Sequence, residues 1–243
     1  MTTSQSVIVI GGGVVGASCA HYLQERGAKV TIVDQKSFGA ACSHGNCGFV
    51  CPSHVLPLAE PGAIRSTMKA MFRPNSPFSI KPRLDVKLWM WLVNFARKCN
   101  EKDMLSGGHA LAALLNSSMN EYEQLVKDGT VACEWQKKGL LYVYQDQQKL
   151  DAYEPTNQLL TEVFNEPAIK YSPEELAELE PALKPGMAGA WFYEHDAHIR
   201  PDKLMESWKQ KLKSAGASIL EGCHVQEIVR ENGRAVRLQT SQG

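Results

Sequence analysis

Residues 7 to 34 constrain this chain more than any other stretch. Val7-Ile8-Val9-Ile10 is a β-branched run that stops at Gly11-Gly12-Gly13-Val14-Val15-Gly16. A helical pattern follows from Ala17 to Gly27, and a second β-branched run, Val30 to Val33, ends on Asp34. Strand, glycine turn, helix and a strand closing on an acid make the βαβ unit of the dinucleotide fingerprint. A run apolar on both faces suits a central parallel strand. Gly11 permits the tight turn, Gly13 lets backbone approach a diphosphate, and Gly16 allows close helix–strand packing. The helix N-terminus offers unpaired N–H groups and a positive dipole end to phosphate. Ala17, Ala20 and Leu23 share one helical face, expected to lie on the sheet. Gly27 is a natural helix stop. Asp34 is placed to accept from ribose hydroxyls and disfavours a 2′-phosphate, so FAD and NAD stay open on these residues.

The rest of the composition excludes other classes. Net charge is +0, from 26 basic and 26 acidic residues, so no basic field points to nucleic acid. No apolar run approaches the ~20 residues of a membrane helix. The first strand begins almost at once, leaving no room for a signal peptide, and a cytoplasmic location is expected. Seven cysteines, an odd number without a Cys-x-x-Cys pair, suggest reduced thiols.

After Asp34 and Gln35 comes a small-residue loop containing Ser43-His44-Gly45-Asn46-Cys47-Gly48. A βαβ unit followed by Ser-x-x-Asn-x-Gly resembles the FAD-dependent amino-acid oxidoreductases, which include D-amino acid oxidase, glycine and sarcosine oxidases and D-amino acid dehydrogenase. Leu58-Ala59-Glu60-Pro61-Gly62, Lys69-Ala70-Met71-Phe72, Leu88-Trp89-Met90-Trp91-Leu92, Lys138-Gly139-Leu140-Leu141-Tyr142-Val143 and Leu179-Glu180-Pro181-Ala182-Leu183 are similar, in order and spacing, to the D-amino acid dehydrogenase small subunit.

The resemblance implies an α/β fold: a Rossmann-like FAD-binding domain with an inserted helical and mixed-sheet substrate domain, both incomplete at the C-terminus. The expected boundaries are residues 1–84 and 200–243 for the FAD domain and 85–199 for the substrate domain. FAD is the implied cofactor. Its contacts are expected from Gly11, Gly12, Gly13, Val14, Val15, Gly16, Asp34, Gln35, Ser43, Asn46 and Gly48, with the Val225 backbone near the adenine. The implied reaction oxidises the Cα–N bond of a D-amino acid. Hydride passes to the flavin, the imine hydrolyses to a 2-oxo acid and ammonia, and the electrons go on to a quinone or an electron-transfer protein. Peripheral association with the inner face of a membrane also follows from the resemblance. The substrate-gripping residues of relatives lie beyond position 243, so the chain reads as an N-terminal fragment, inactive alone. Alternatives are oxidation of secondary amines (proline, hydroxyproline, sarcosine) or glycine, a non-catalytic dinucleotide-binding module, and an NAD-dependent dehydrogenase. The last gives no account of the loop from Ser43 to Gly48.

No catalytic residue is assigned. His195 and His198 beside Asp196 read as structural or solvated. Cys42, His44, Cys47, Cys51 and His54 are metal-ligand types in a non-standard spacing, so small thiols packed near the cofactor are expected rather than a metal. The prolines between Pro52 and Pro82 leave room only for a short helix from Ala63 to Phe72. Residues 85–98 read as a core helix carrying large aromatics rather than a membrane anchor, and 102–128 as a longer helix ended by Gly129. Trp135 to Gln145 and Ala188 to Tyr193 read as substrate-sheet strands, and Gln147 to Asn165 as one helix. Ser172 and Pro173 open a short helix, and Pro201 opens another that runs to Ala215. Strands at 216–220 and 223–229 precede an Asn232-Gly233 hairpin turn.

Overall fold

The structure is a computed structural model that describes residues 5–71 and 83–243. In chain order the elements are β1 (Ser6–Ile10), α1 (Val14–Glu25), β2 (Lys29–Val33), β3 (Phe49–Val50), α2 (Ala63–Met71), α3 (Val86–Lys98) and α4 (Glu101–Lys127). There follow β4 (Leu140–Tyr144), α5 (Gln147–Asp151), α6 (Glu154–Phe164), β5 (Ile169–Tyr171), α7 (Pro173–Leu179) and β6 (Gly189–Tyr193). The last are β7 (Ala197–His198), α8 (Pro201–Ser214), β8 (Ser218–Leu220), β9 (Val225–Glu231) and β10 (Arg234–Thr240). The mix of parallel βαβ and antiparallel sheet agrees with the α/β expectation.

Among the described residues the chain packs as two compact units. The first draws on the chain up to Val50, Glu121–Lys138 and Ala197–Gly243; the second draws on Cys51–Asn120 and Gly139–Asp196. The first changeover falls well before residue 84 because Val55 is already in the second unit's core. The segment from Glu121 returns to the first unit because Tyr122, Leu125, Val126, Val131, Cys133 and Trp135 pack into its core.

In the first unit, β1 and β2 run parallel, with Val9 opposite Ile32, and β8 adds in parallel on the far side of β2. The order β1-β2-β8 therefore puts β2 in the middle and β1 at an edge. This corrects the expectation of a central first strand: Ile8 and Ile10 are 52% and 50% exposed. The buried strand is instead β2, with Val30 and Ile32 buried on one face and Val33 on the other. Helix α1 covers that sheet as expected, with Ala17 and Ala20 fully buried and Leu23 against the same core. It stops at Arg26, and Gly27 takes the left-handed φ of +83°. Helix α8 completes the core through Leu204, Met205, Trp208 and Leu212. Pro201 starts it and Ala215 caps it, as anticipated. The hairpin β9–β10 turns through Asn232 and Gly233, both at positive φ, the signature of a type I′ turn.

In the second unit, β4 and β5 flank β6 in an antiparallel sheet. The strand expected from Trp135 starts only at Leu140, since Gln136 bridges singly to His198 in the first unit. The single helix expected over Gln147 to Asn165 is two. Pro155 lacks an N–H and is tolerated only in a first helical turn, so a second helix starts at Glu154. Ser172 caps α7 with a full capping box to Glu175. Helix α3 has no buried residue, which corrects the core-helix expectation. Leu88, Leu92, Phe95 and Ala96 are half-buried, while Val86, Trp89, Met90, Trp91 and Val93 are exposed. Phe72 lies outside the described residues.

Candidate dinucleotide-binding site

The site is the turn between β1 and α1. Gly11 leaves the strand at φ +102° and donates its N–H to Val33 O at 2.8 Å, stitching the turn to β2. At Gly16 a Cβ would sit 1.9 Å from Gly11 O, so only glycine lets the helix come this close to the strand end. At Gly13 a Cβ would lie 3.0 Å from Ser43 Oγ, so this position also faces a neighbour with little room.

Two turn amides are engaged by the protein itself. Gly12 N–H donates to Asp34 Oδ2 at 2.7 Å, and Val14 N–H donates to Ser43 Oγ at 2.9 Å. This corrects the picture of a wholly unpaired helix N-terminus. Among the described residues, the N–H groups of Gly13, Val15 and Gly16 have no acceptor, because the first intrahelical bond is Ala17 N–H to Gly13 O. They sit at the positive end of the α1 dipole, which suits an anionic oxygen. The donor set therefore fits a diphosphate.

Asp34 is built into the turn rather than hanging free. Its Oδ1 accepts from Lys36 N–H at 2.7 Å while Oδ2 takes Gly12. Each oxygen keeps a lone pair for a hydroxyl donor. The backbone of Asp34 is pinned on both sides, by N–H donation to Leu220 O and by Cys223 N–H donating to its carbonyl. Gln35 lies beside it, with Oε1 3.2 Å from His224 Nδ1, which brings the start of β9 and Val225 to the same end of the sheet. Glu221 ties the next loop in, accepting from Phe38 N–H at 2.7 Å and from Lys209 Nζ at 2.8 Å. No motif in the sequence marks Glu221; its partner lies 183 positions away.

In the Ser43–Gly48 loop the structure separates three expected roles. Ser43 does face the glycine turn. Asn46 turns inward: its Nδ2 donates to Cys42 O and Ser43 O, and its Oδ1 accepts from Gly48 N–H. It shapes the loop. At Gly48 a Cβ would lie 2.2 Å from Ile199 O, so the close approach required there is to the chain's own backbone. Cys42 and Cys47 are exposed, not packed; Cys51 is buried in the second unit, its thiol pushed up to about 12 by burial and then by Asp196. Among the described residues no group of three His, Cys, Asp or Glu side chains is placed to hold a metal. Asp196 is fully buried and His198 pairs with Phe49 between β7 and β3, so both build the fold.

A glycine turn with acceptor-free amides, an acid ending the second strand and a serine loop folded over them are the geometry of a dinucleotide-binding fold. The chain belongs to the FAD dependent oxidoreductase family, abbreviated DAO, which matches residues 6–243. It is similar to D-amino acid dehydrogenase of Helicobacter pylori (strain ATCC 700392 / 26695), at 29% identity over 222 residues, covering 89% of this chain and 51% of that protein. It is also similar to D-amino acid dehydrogenase of Vibrio atlanticus, at 28% over 241 residues, covering 98% and 58%. Among solved structures it shares its fold with glycine oxidase from Geobacillus kaustophilus, with TM-score 0.64, 20% identity, and coverage of 99% of this chain and 53% of that one. The chain spans about half the length of the relatives it matches.

Proposed function

We propose that this chain is the cofactor-binding part of an FAD-dependent dehydrogenase that oxidises D-amino acids to 2-oxo acids and passes electrons to an acceptor other than oxygen. The observation that carries the reading is the trio of acceptor-free amides at Gly13, Val15 and Gly16, in a chain akin to D-amino acid dehydrogenases. These amides hold the diphosphate. Asp34, through its remaining lone pairs, orients ribose hydroxyls, with Gln35 and the Val225 backbone on the adenosine side. Ser43 steadies Val14 and borders the diphosphate path; Gly12, Asn46 and Gly48 keep turn and loop in register. FAD, when bound, supplies the hydride-accepting ring, while the protein supplies position and electrostatics.

Helix α3 supports a peripheral membrane contact, and with it a membrane-borne electron acceptor such as a quinone. Val86, Trp89, Met90 and Val93 recur at helical spacing on its exposed side. Arg83, Lys87, Arg97 and Lys98 flank them, and the helix contains no acid. Lys98 is paired with Asp103. Apolar and basic side chains together favour an anionic lipid interface. No described helix is long and apolar enough to cross a membrane.

The test is direct. The whole gene product is purified, its flavin absorbance is recorded, and dye reduction is measured with D-amino acids, secondary amines and NADH. A bound flavin reduced by D-amino acids is the expected result. A flavin-free protein that binds NAD overturns the reading.

A further inference from the structure

Within the first unit, residues 222–224 run alongside residues 34–36. Cys223 N–H donates to Asp34 O at 2.8 Å, and Gly222 N–H donates to Lys36 O at 3.2 Å. His224 comes next and is held at its main chain by Ser241. Its N–H donates to Ser241 Oγ at 3.0 Å, and its carbonyl accepts from Ser241 N–H at 2.9 Å. Its side chain is held as well, with Nδ1 3.2 Å from Gln35 Oε1. His224 and Gln35 are both exposed, whereas Cys223 is buried.

Fixing an exposed side chain costs rotamer entropy and adds little to the core, but it lowers the cost of binding a ligand. The carboxamide Oε1 can only accept, so in the neutral ring the hydrogen lies on Nδ1 and Nε2 keeps its lone pair. Among the described residues Nε2 has no hydrogen-bond partner.

The place of this acceptor gives it a use. In the reading above, the turn amides take the diphosphate and Asp34 takes the ribose hydroxyls. A nucleotide carries its 5′-phosphate and its base on opposite ends of the sugar. A dinucleotide laid from the turn across Asp34 therefore delivers its base to Gln35 and His224, just past the acid. Adenine presents a 6-amino group, which donates; guanine and hypoxanthine present an oxygen there, which accepts. An acceptor on the protein pairs with the first and leaves the second unsatisfied.

We propose that His224 is a specificity-determining residue for the base of the dinucleotide. Its Nε2 accepts from the 6-amino group of adenine, and Gln35 is the positioning residue that holds the ring. The inference rests on the FAD reading above and adds a side-chain contact to the base.

The experiment uses the whole gene product, stripped of flavin, and reads binding rather than turnover. ADP and IDP, the latter with an oxygen in place of the 6-amino group, are titrated by calorimetry, and FAD is titrated by quenching of its fluorescence. His224→Ala should weaken ADP and FAD about fivefold, the loss of one hydrogen bond, while IDP binds as before or tighter. The preference for ADP over IDP should thus fall by about fivefold or more. Any preference due to the Val225 backbone remains in the variant, so the change in the ratio reads His224 alone. His224→Gln, which keeps an acceptor, should restore part of the ratio. Gln35→Leu, which removes the tether and leaves the imidazole, should lower the ratio less than His224→Ala does. A ratio that His224→Ala leaves unchanged, whether both nucleotides weaken equally or neither weakens, overturns the assignment of His224 while the FAD reading stands. A Gln35→Leu protein with the wild-type ratio overturns the positioning role of Gln35. A wild-type protein that binds neither FAD nor ADP overturns the FAD reading and this inference with it.

Discussion

Gly16→Ala tests the geometry of the turn with the smallest available change. In an open helix interior this substitution stabilises by up to ~1 kcal/mol, because alanine loses less backbone freedom. Here the added carbon would stand 1.9 Å from Gly11 O and 3.3 Å from Val9 Cγ1. Ordinary contact is at about 3.5 Å, so α1 must move by more than ~1 Å relative to the strand end. Forced overpacking of this kind costs about 1–3 kcal/mol. The net expectation is a loss of about 1–2 kcal/mol, or a Tm drop of roughly 2–8 °C for a chain of this size. The same movement displaces the amides of Gly13, Val15 and Gly16, so flavin content should fall with Tm. Gly107→Ala is the control. It lies within α4, where a new Cβ would touch only Pro57 at 3.5 Å, and it should raise Tm by a few degrees. Thermal unfolding and flavin absorbance decide the matter. A Gly16→Ala protein as stable as wild type with undiminished flavin would refute the close-approach argument.

Asp196→Ala strands the N–H and hydroxyl of Ser53 in a buried site and should cost about 3 kcal/mol in denaturant unfolding, with Asp196→Asn costing less; a loss below about 1 kcal/mol would contradict the pairing of Asp196 with Ser53. Gly108→Ala should destabilise although its neighbour stabilises, because its Cβ would meet the Phe164 ring at 2.6 Å. Glu166 is buried, and burial holds its carboxyl above the usual range. Its folded pKa exceeds its unfolded one, so its contribution is fully present below the unfolded pKa and is lost as pH rises through the folded pKa. The difference in stability between wild type and Glu166→Gln should therefore change across that interval, and a pH-independent difference would argue against it.

The turn was legible because glycine, helix stop and terminal acid are local signals written within 28 residues of sequence. The Asn232-Gly233 hairpin and the Ser172-Pro173 cap were readable for the same reason. Strand order was not. Val7 to Ile10 is more apolar than Lys29 to Val33, and nothing local says that β8 will join β2 rather than β1. The exposure of α3 was hidden too, since Trp89 and Val93 look alike to periodicity whether they face a core or solvent. Asn46 shows a subtler limit: its residue type announced an amide near the cofactor loop, but only three dimensions reveal that the amide is spent on Cys42, Ser43 and Gly48.

The tie between Phe38 and Glu221 spans 183 residues, and β8, which flanks β2, lies in the same distant region. During synthesis at ~5–20 residues per second, β2 must wait roughly 10–40 s for that neighbour to leave the ribosome. Throughout the wait, a strand as greasy as Val30-Thr31-Ile32-Val33 offers an unclaimed edge to any passing polypeptide. Nascent chains of this protein should therefore lean on chaperones early, and slowing translation should harm their yield more than it harms that of proteins whose sheets close locally.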